Sequence, residues 1–140
     1  MGGHGALTLY LRNLGTYRSA TAFAPVSNPT KSPWGVKAFG GYLAHPSEGK
    51  EYDATELIAK TAGKINVLID YVTILCATTR STDLFPYQGD GDKFYKDGQL
   101  LPENFSAAAK KAGFQEDQVR VRLQPGYDHS YYFVSRPRYP

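Results

Sequence analysis

Apolar positions along this chain follow two different rhythms. Over Met1–Leu14, Ala6, Leu7, Leu9, Tyr10 and Leu14 favour one side of a helix, and Gly15 stops it. Ser19–Ala24 is a short apolar run ended by Pro25, the pattern of a buried strand. The stretch "PVSNPTKSPWG" (25–35) carries three prolines and reads as a loop. Val36–Leu43 suits a short helix, closed by a polar loop at His45–Glu51. In "YDATELIAK", Asp53 stands before a short helix, with Glu56 three residues on, the spacing of an N-cap. "INVLID" (65–70) is β-branched and nearly continuously apolar, as a strand buried on both faces must be. "LPENFSAAAKKAG" reads as a helix ending on Gly113, with Lys110 and Lys111 facing the negative end of its dipole. "VRVRLQPG" alternates apolar and basic residues, so it predicts a strand with one wetter face, stopped at Pro125–Gly126.

Helix, strand, short helices, strand, helix, strand and a candidate final helix follow one another in that order. Such alternation implies right-handed crossovers and a parallel sheet, hence an α/β fold. There are no internal repeats or low-complexity segments. Three strands are few for a free-standing parallel sheet, and the expectation is that the chain forms the end of a larger domain.

Composition narrows the class. The chain has 140 residues, of which 41% are hydrophobic and 21% charged, and 11 are Tyr. That is enough apolar material for one modest core, and too much for extended disorder. The net charge of +3 is weak and scattered, which argues against nucleic acid or an anionic membrane as a partner. Cys76 is the single cysteine, so no internal disulfide forms, in keeping with a reducing compartment. The longest apolar run, Ile65–Ala77, is too short to span a bilayer and contains Asp70. No charged leader and cleavage site open the chain, so export is not expected.

In open α/β sheets, reactive groups collect where strands end. The loop after "INVLID" reaches "QGDGDKF", with Asp90 and Asp92; the one after "VRVRLQPG" reaches "YDHSYYF", with His129. A carboxylate on one loop and a histidine on the next suit an orienting acid and a general base. The third member is then expected to be a nucleophile on a sharp turn just before Met1. Against this, Asp and Gly fill turns in any case, and a lone histidine is commonly structural. His4 reads as a helix-start residue that packs locally, Trp34 as a pocket or rim residue, and Cys76 as an unactivated thiol. No His, Cys or acidic cluster has metal-ligand spacing. "GDGDKF" lacks the Lys-Ser/Thr pair and the following helix of a phosphate loop.

The stretches "MGGHGAL", "FAPVSNP", "PWG", "YDAT", "DGQLLPENF" and "RLQPGYDHSYYF" together resemble the C-terminal half of the S-formylglutathione hydrolases, the esterase D family, over nearly the whole chain. That resemblance implies the C-terminal part of a single α/β-hydrolase domain spanning 1–140. In the family, Gly-His-Ser precedes "MGGHGAL", so Gly2 and Gly3 follow the serine of the G-x-S-x-G elbow. His129 then matches the catalytic base and Asp92 the triad acid, with Asp90 ranked second. Met1 matches the residue whose backbone N–H lines the oxyanion hole, and Trp34 is a candidate for the acyl pocket.

Two departures stand out. Tyr71–Tyr87 has no counterpart and is expected to be an insertion of untuned sequence, a translated intron rather than an evolved loop. "VSRPRYP" replaces the family's final helix with Pro137 and Pro140.

The implied activity is hydrolysis of S-formylglutathione to glutathione and formate in formaldehyde removal. It needs no cofactor and no metal. The implied partner is a small glutathione thioester, in the cytoplasm, with neither nucleic acid nor membrane involved and a homodimer as the assembly the resemblance suggests. With the nucleophile expected upstream of Met1, the 140-residue chain alone is expected to be inactive. The rival reading is a non-catalytic truncated fragment or a mispredicted gene product, and a different esterase on the same fold is the third.

Overall fold

A computed structural model describes residues 2–73 and 92–125. Helix α1 (Gly2–Arg12) leads into strand β1 (Ala20–Phe23), helix α2 (Pro33–Tyr42), a 3-10 helix (Pro46–Glu51) and helix α3 (Ala54–Ile58). Strand β2 (Val67–Thr73), helices α4 (Lys93–Lys96) and α5 (Pro102–Lys111) and strand β3 (Val119–Pro125) complete the order. All three strands run parallel in the order β1-β2-β3, with Ala22 beside Ile69 and Ile69 beside Val121.

Helix ends are set by local chemistry. The Ser32 side chain accepts the Gly35 N–H, and Pro33 occupies the first helical position, where a missing N–H costs nothing. For that reason α2 starts at Pro33 and takes Trp34 with it, earlier than a loop running to Gly35 would allow. Asp53 caps α3 as expected, accepting the N–H groups of Thr55 and Glu56. Gly113 takes a φ of +90° just past α5, a conformation that only glycine adopts without strain.

The core lies on one face of the sheet. Leu7, Tyr10 and Leu11 of α1, Ile58 of α3, and Phe105 and Ala109 of α5 pack with Ala22, Val67, Ile69 and Tyr71. Strand side chains alternate, so Thr21, Leu68 and Arg120 form a row on the opposite face. There Thr21 and Arg120 are exposed and Leu68 is half-buried, in line with the wetter face expected of "VRVRLQ".

Three further features differ from the pattern reading. β2 begins two residues late and continues through Thr73, because Tyr71 is as buried as Ile69 and its hydroxyl finds partners. Pro46 nucleates a 3-10 turn inside the polar stretch 45–51. A short helix, α4, does follow "GDGD", since Asp92 caps it. The proposed final helix lies outside the described residues.

Asp53 ties the connecting segments together, and it is fully buried. One carboxylate oxygen accepts from Asn28 Nδ2 (2.7 Å), Thr30 N (2.9 Å) and Thr30 Oγ1 (2.6 Å). Its other oxygen accepts from Thr55 N at 2.8 Å and Glu56 N at 3.3 Å. Asn28 in turn accepts from Asn104 Nδ2 of α5 at 2.8 Å. A buried carboxylate survives only when hydrogen-bonded in this manner. Asp53→Ala is expected to lower stability by about 3 kcal/mol, combining the lost cap with stranded buried donors. Asn104→Ala should cost about 1 kcal/mol. Urea unfolding of both variants measures the difference.

Candidate active site

The carboxyl ends of parallel strands are where an open α/β sheet holds its ligands. Here the amino end of α1 sits against the end of β1. A Cβ built on Gly3 would lie 2.7 Å from the Phe23 carbonyl oxygen and 3.1 Å from Pro25 Cβ. Gly2 and Gly5 have nothing within 4 Å of the same position. Of the three glycines that open the chain, Gly3 alone lets helix and strand end approach this closely.

At the start of α4, Asp92 is 1% exposed. Its Oδ1 accepts the N–H of Phe94 at 2.9 Å and of Tyr95 at 3.4 Å, which caps α4 and fixes the carboxylate's orientation. On β2 stands a phenol that the resemblance leaves in the unmatched segment 71–87. The Tyr71 hydroxyl hydrogen-bonds to Ser27 and donates to the Pro25 carbonyl at 3.2 Å, fastening β2 to the loop that leaves β1. Burial pushes the Tyr71 phenol well above its usual range. Nearby, the Tyr95 hydroxyl donates to Glu103 Oε1 at 2.5 Å, and that bond raises its pKa to about 12.

Trp34 is 40% exposed at the start of α2, with its backbone N–H donated to Gln99 Oε1 at 2.8 Å. Its ring lines an apolar cavity of about 300 Å³, shared with His4, Pro29, Phe39 and Tyr42. Thus Trp34 and the first turn of α1 border one cavity. His4 packs against distant segments and not only locally: its Nε2 lies 2.8 Å from the Tyr52 carbonyl oxygen, and its ring lies 6.3 Å from that of Phe39. Across α1, the Arg12 guanidinium stacks 4.5 Å over the Tyr52 ring, so the two ends of the helix grip one residue.

Met1, Asp90, His129 and Cys76 lie outside the described residues. Of the expected site groups, then, Asp92 and Trp34 have geometry here, on separate elements. Pattern reading missed Tyr71 and Ser27 because a hydroxyl pair has no periodic signature. It also missed that "VSNP", "YDAT" and "PENF" meet in one network through Asn28, Asp53 and Asn104. Among the described residues, no three His, Cys, Asp or Glu side chains gather as a metal site, and no helix is long and apolar enough to cross a membrane.

A three-stranded parallel sheet with helices, and a buried carboxylate fixed where the chain re-enters from β2, define part of an α/β-hydrolase fold. The sequence matches the family described as "Putative esterase" over residues 1–137, and the chain belongs to that family. Its similarity to S-formylglutathione hydrolases is extensive. It is 47% identical to that of Rattus norvegicus over 137 residues, covering 96% of this chain and 42% of the relative. It is also 47% identical to that of Arabidopsis thaliana, covering 96% of this chain and 41% of the relative. The solved structure of an S-formylglutathione hydrolase from Agrobacterium tumefaciens superposes with a TM-score of 0.73 at 32% identity, over 96% of this chain and 41% of that one. The chain therefore spans about two-fifths of the length of these relatives.

Gly3→Ala is expected to destabilise the protein by about 2 kcal/mol, because the clash is with backbone that cannot move aside. Gly5→Ala, on the open side of the same helix, should gain up to about 1 kcal/mol. Chemical unfolding of the two variants reads this opposition directly. Burial also lowers the pKa of His4 from 6.5, with the Tyr52 hydrogen bond only partly opposing it. The unfolded chain then takes up a proton before the folded one does, so stability falls as pH drops below about 6.5. His4→Gln should flatten that acid limb of a Tm-against-pH profile.

Proposed function

We propose that the chain works as the carboxy-terminal part of a serine thioester hydrolase acting on S-formylglutathione. In this reading residues 1–140 belong to one α/β-hydrolase domain, with an insertion at 71–87 whose first residues extend β2. The similarity to S-formylglutathione hydrolases across nearly the whole chain is the observation that carries it. Asp92 serves as the acid that orients His129, and His129 is the general base. A serine outside these residues is the nucleophile, the backbone N–H of Met1 stands at the oxyanion hole, and Trp34 borders the acyl pocket.

The chemistry follows from those roles. The serine oxygen attacks the thioester carbonyl carbon while His129 takes its proton. The C–S bond breaks, and the glutathione sulfur leaves with that proton. Water, deprotonated by the same imidazole, then attacks the formyl-enzyme, and formate departs as the serine is reprotonated. Asp92 suits its role because an acid fixed by two backbone N–H groups cannot swing away as the imidazolium forms beside it. In this reading the protein acts on a small molecule in formaldehyde catabolism, in the cytoplasm.

The test uses a complete enzyme, built by joining the amino-terminal part of the Arabidopsis thaliana relative to this chain. His129→Ala and Asp92→Asn should each reduce turnover of S-formylglutathione by about 10³-fold or more. Asp90→Asn should reduce it far less. Near-normal turnover in the Asp92 variant together with a crippled Asp90 variant would reassign the acid, and full activity without His129 would sink the reading.

A further inference from the structure

One buried charge has no part in that chemistry. Asp70 lies in the middle of β2 with its side chain 2% exposed. Arg122 of β3 is its register partner, so the two side chains stand next to each other on one face of the sheet. The guanidinium grips the carboxylate with a two-pronged fork: Nε to Oδ1 at 2.7 Å and Nη2 to Oδ2 at 2.8 Å. The carboxylate holds the guanidinium pKa above even its usual high value.

Such a pair is a poor device for stability alone. Removing a carboxylate from water costs about as much as the pairing returns, and two apolar side chains would hold the strands as well. What apolar side chains lack is a single preferred geometry. A fork on a carboxylate fixes both distance and angle, and a slip of one residue would send Asp70 to the opposite face. Asp70 and Arg122 also occupy equivalent heights, each three residues before the last residue of its strand, Thr73 and Pro125. The chain leaving β2 leads to Asp92, and the chain leaving β3 reaches His129 four residues after Pro125. Phe23, at the end of β1, completes the same row on the far side of Asp70.

We infer that Asp70 and Arg122 are positioning residues: their fork sets the relative height of the ends of β2 and β3, from which the chain runs on to Asp92 and to His129. The inference rests on the assignment of Asp92 and His129 proposed above. Neither Asp70 nor Arg122 touches substrate. Their effect is exerted through the spacing of an acid–base pair for which a displacement of about 1 Å can cost about 10²-fold in rate.

The complete enzyme is again the test object, with S-formylglutathione as substrate. Asp70→Asn is expected to lower kcat by about 10- to 100-fold with KM within about twofold. The acid limb of its kcat/KM profile should move to lower pH, because an imidazolium held less well by Asp92 loses its proton more easily. Arg122→Lys keeps the charge but not the fork, and should show the same changes to a smaller degree, about fivefold or more in kcat. It also serves where the Asp70 variant does not fold. A lowered Tm with wild-type kcat and an unmoved pH profile, in either variant, would show a merely structural pair and overturn the inference. In that case inactivity of His129→Ala and Asp92→Asn leaves the assignment of acid and base standing. If those two variants stay active, the assignment itself fails and takes the inference with it.

Discussion

A carboxylate without access to water governs the arrangement of everything between the strands. Asp53 must be satisfied by donors, and those donors come from Asn28 and Thr30 on one side and from the first turn of α3 on the other. Because Asn28 also accepts from Asn104, the loop after β1 is held to α3 and α5 together. That loop carries Ser27, whose hydroxyl is hydrogen-bonded to that of Tyr71, and it leads directly to Ser32 and the cap of α2. Position thus passes from one buried acid to the phenol at the end of β2 and to the turn that presents Trp34. Hydrophobic burial supplies most of the stability, but it is non-directional. Directional polar contacts decide where each segment sits.

Much of this was legible in the residues. The strands, the Asp53 cap and the α5 helix follow from periodicity and from cap chemistry, both of which act over a few neighbouring residues. Parallel order followed from alternation alone. What could not be read was long-range. Tyr71 sits where the family likeness lapses, and only the fold brings Ser27 and the Pro25 carbonyl to its hydroxyl. Arg122 looked like one of two basic residues on a wet strand face. In the sheet, Arg120 is exposed while Arg122 turns to a buried acid on the neighbouring strand. α4 was hidden because four residues are too few for a periodic signal, although Asp92 is an ordinary N-cap residue.

The candidate site was legible in a different manner. Chain order and strand ends suggested an acid followed by a histidine, and the likeness to esterases ranked Asp92 above Asp90. The burial of Asp92, and its two accepted backbone N–H bonds, add the physical content that a motif lacks. A turn aspartate could have been solvated and mobile. This one is neither, because capping α4 removes it from water and fixes its plane.

Gly3 bears on how such sequences diverge. By eye, Gly2, Gly3 and Gly5 form one glycine-rich signature. Against the end of β1, only one of them is a steric obligation; the others stand in open space. Among the described residues, the steric demand for glycine therefore falls on Gly3 alone of the three. Gly3 and Pro25 thus form one steric unit, in which neither residue can be exchanged without regard to the other.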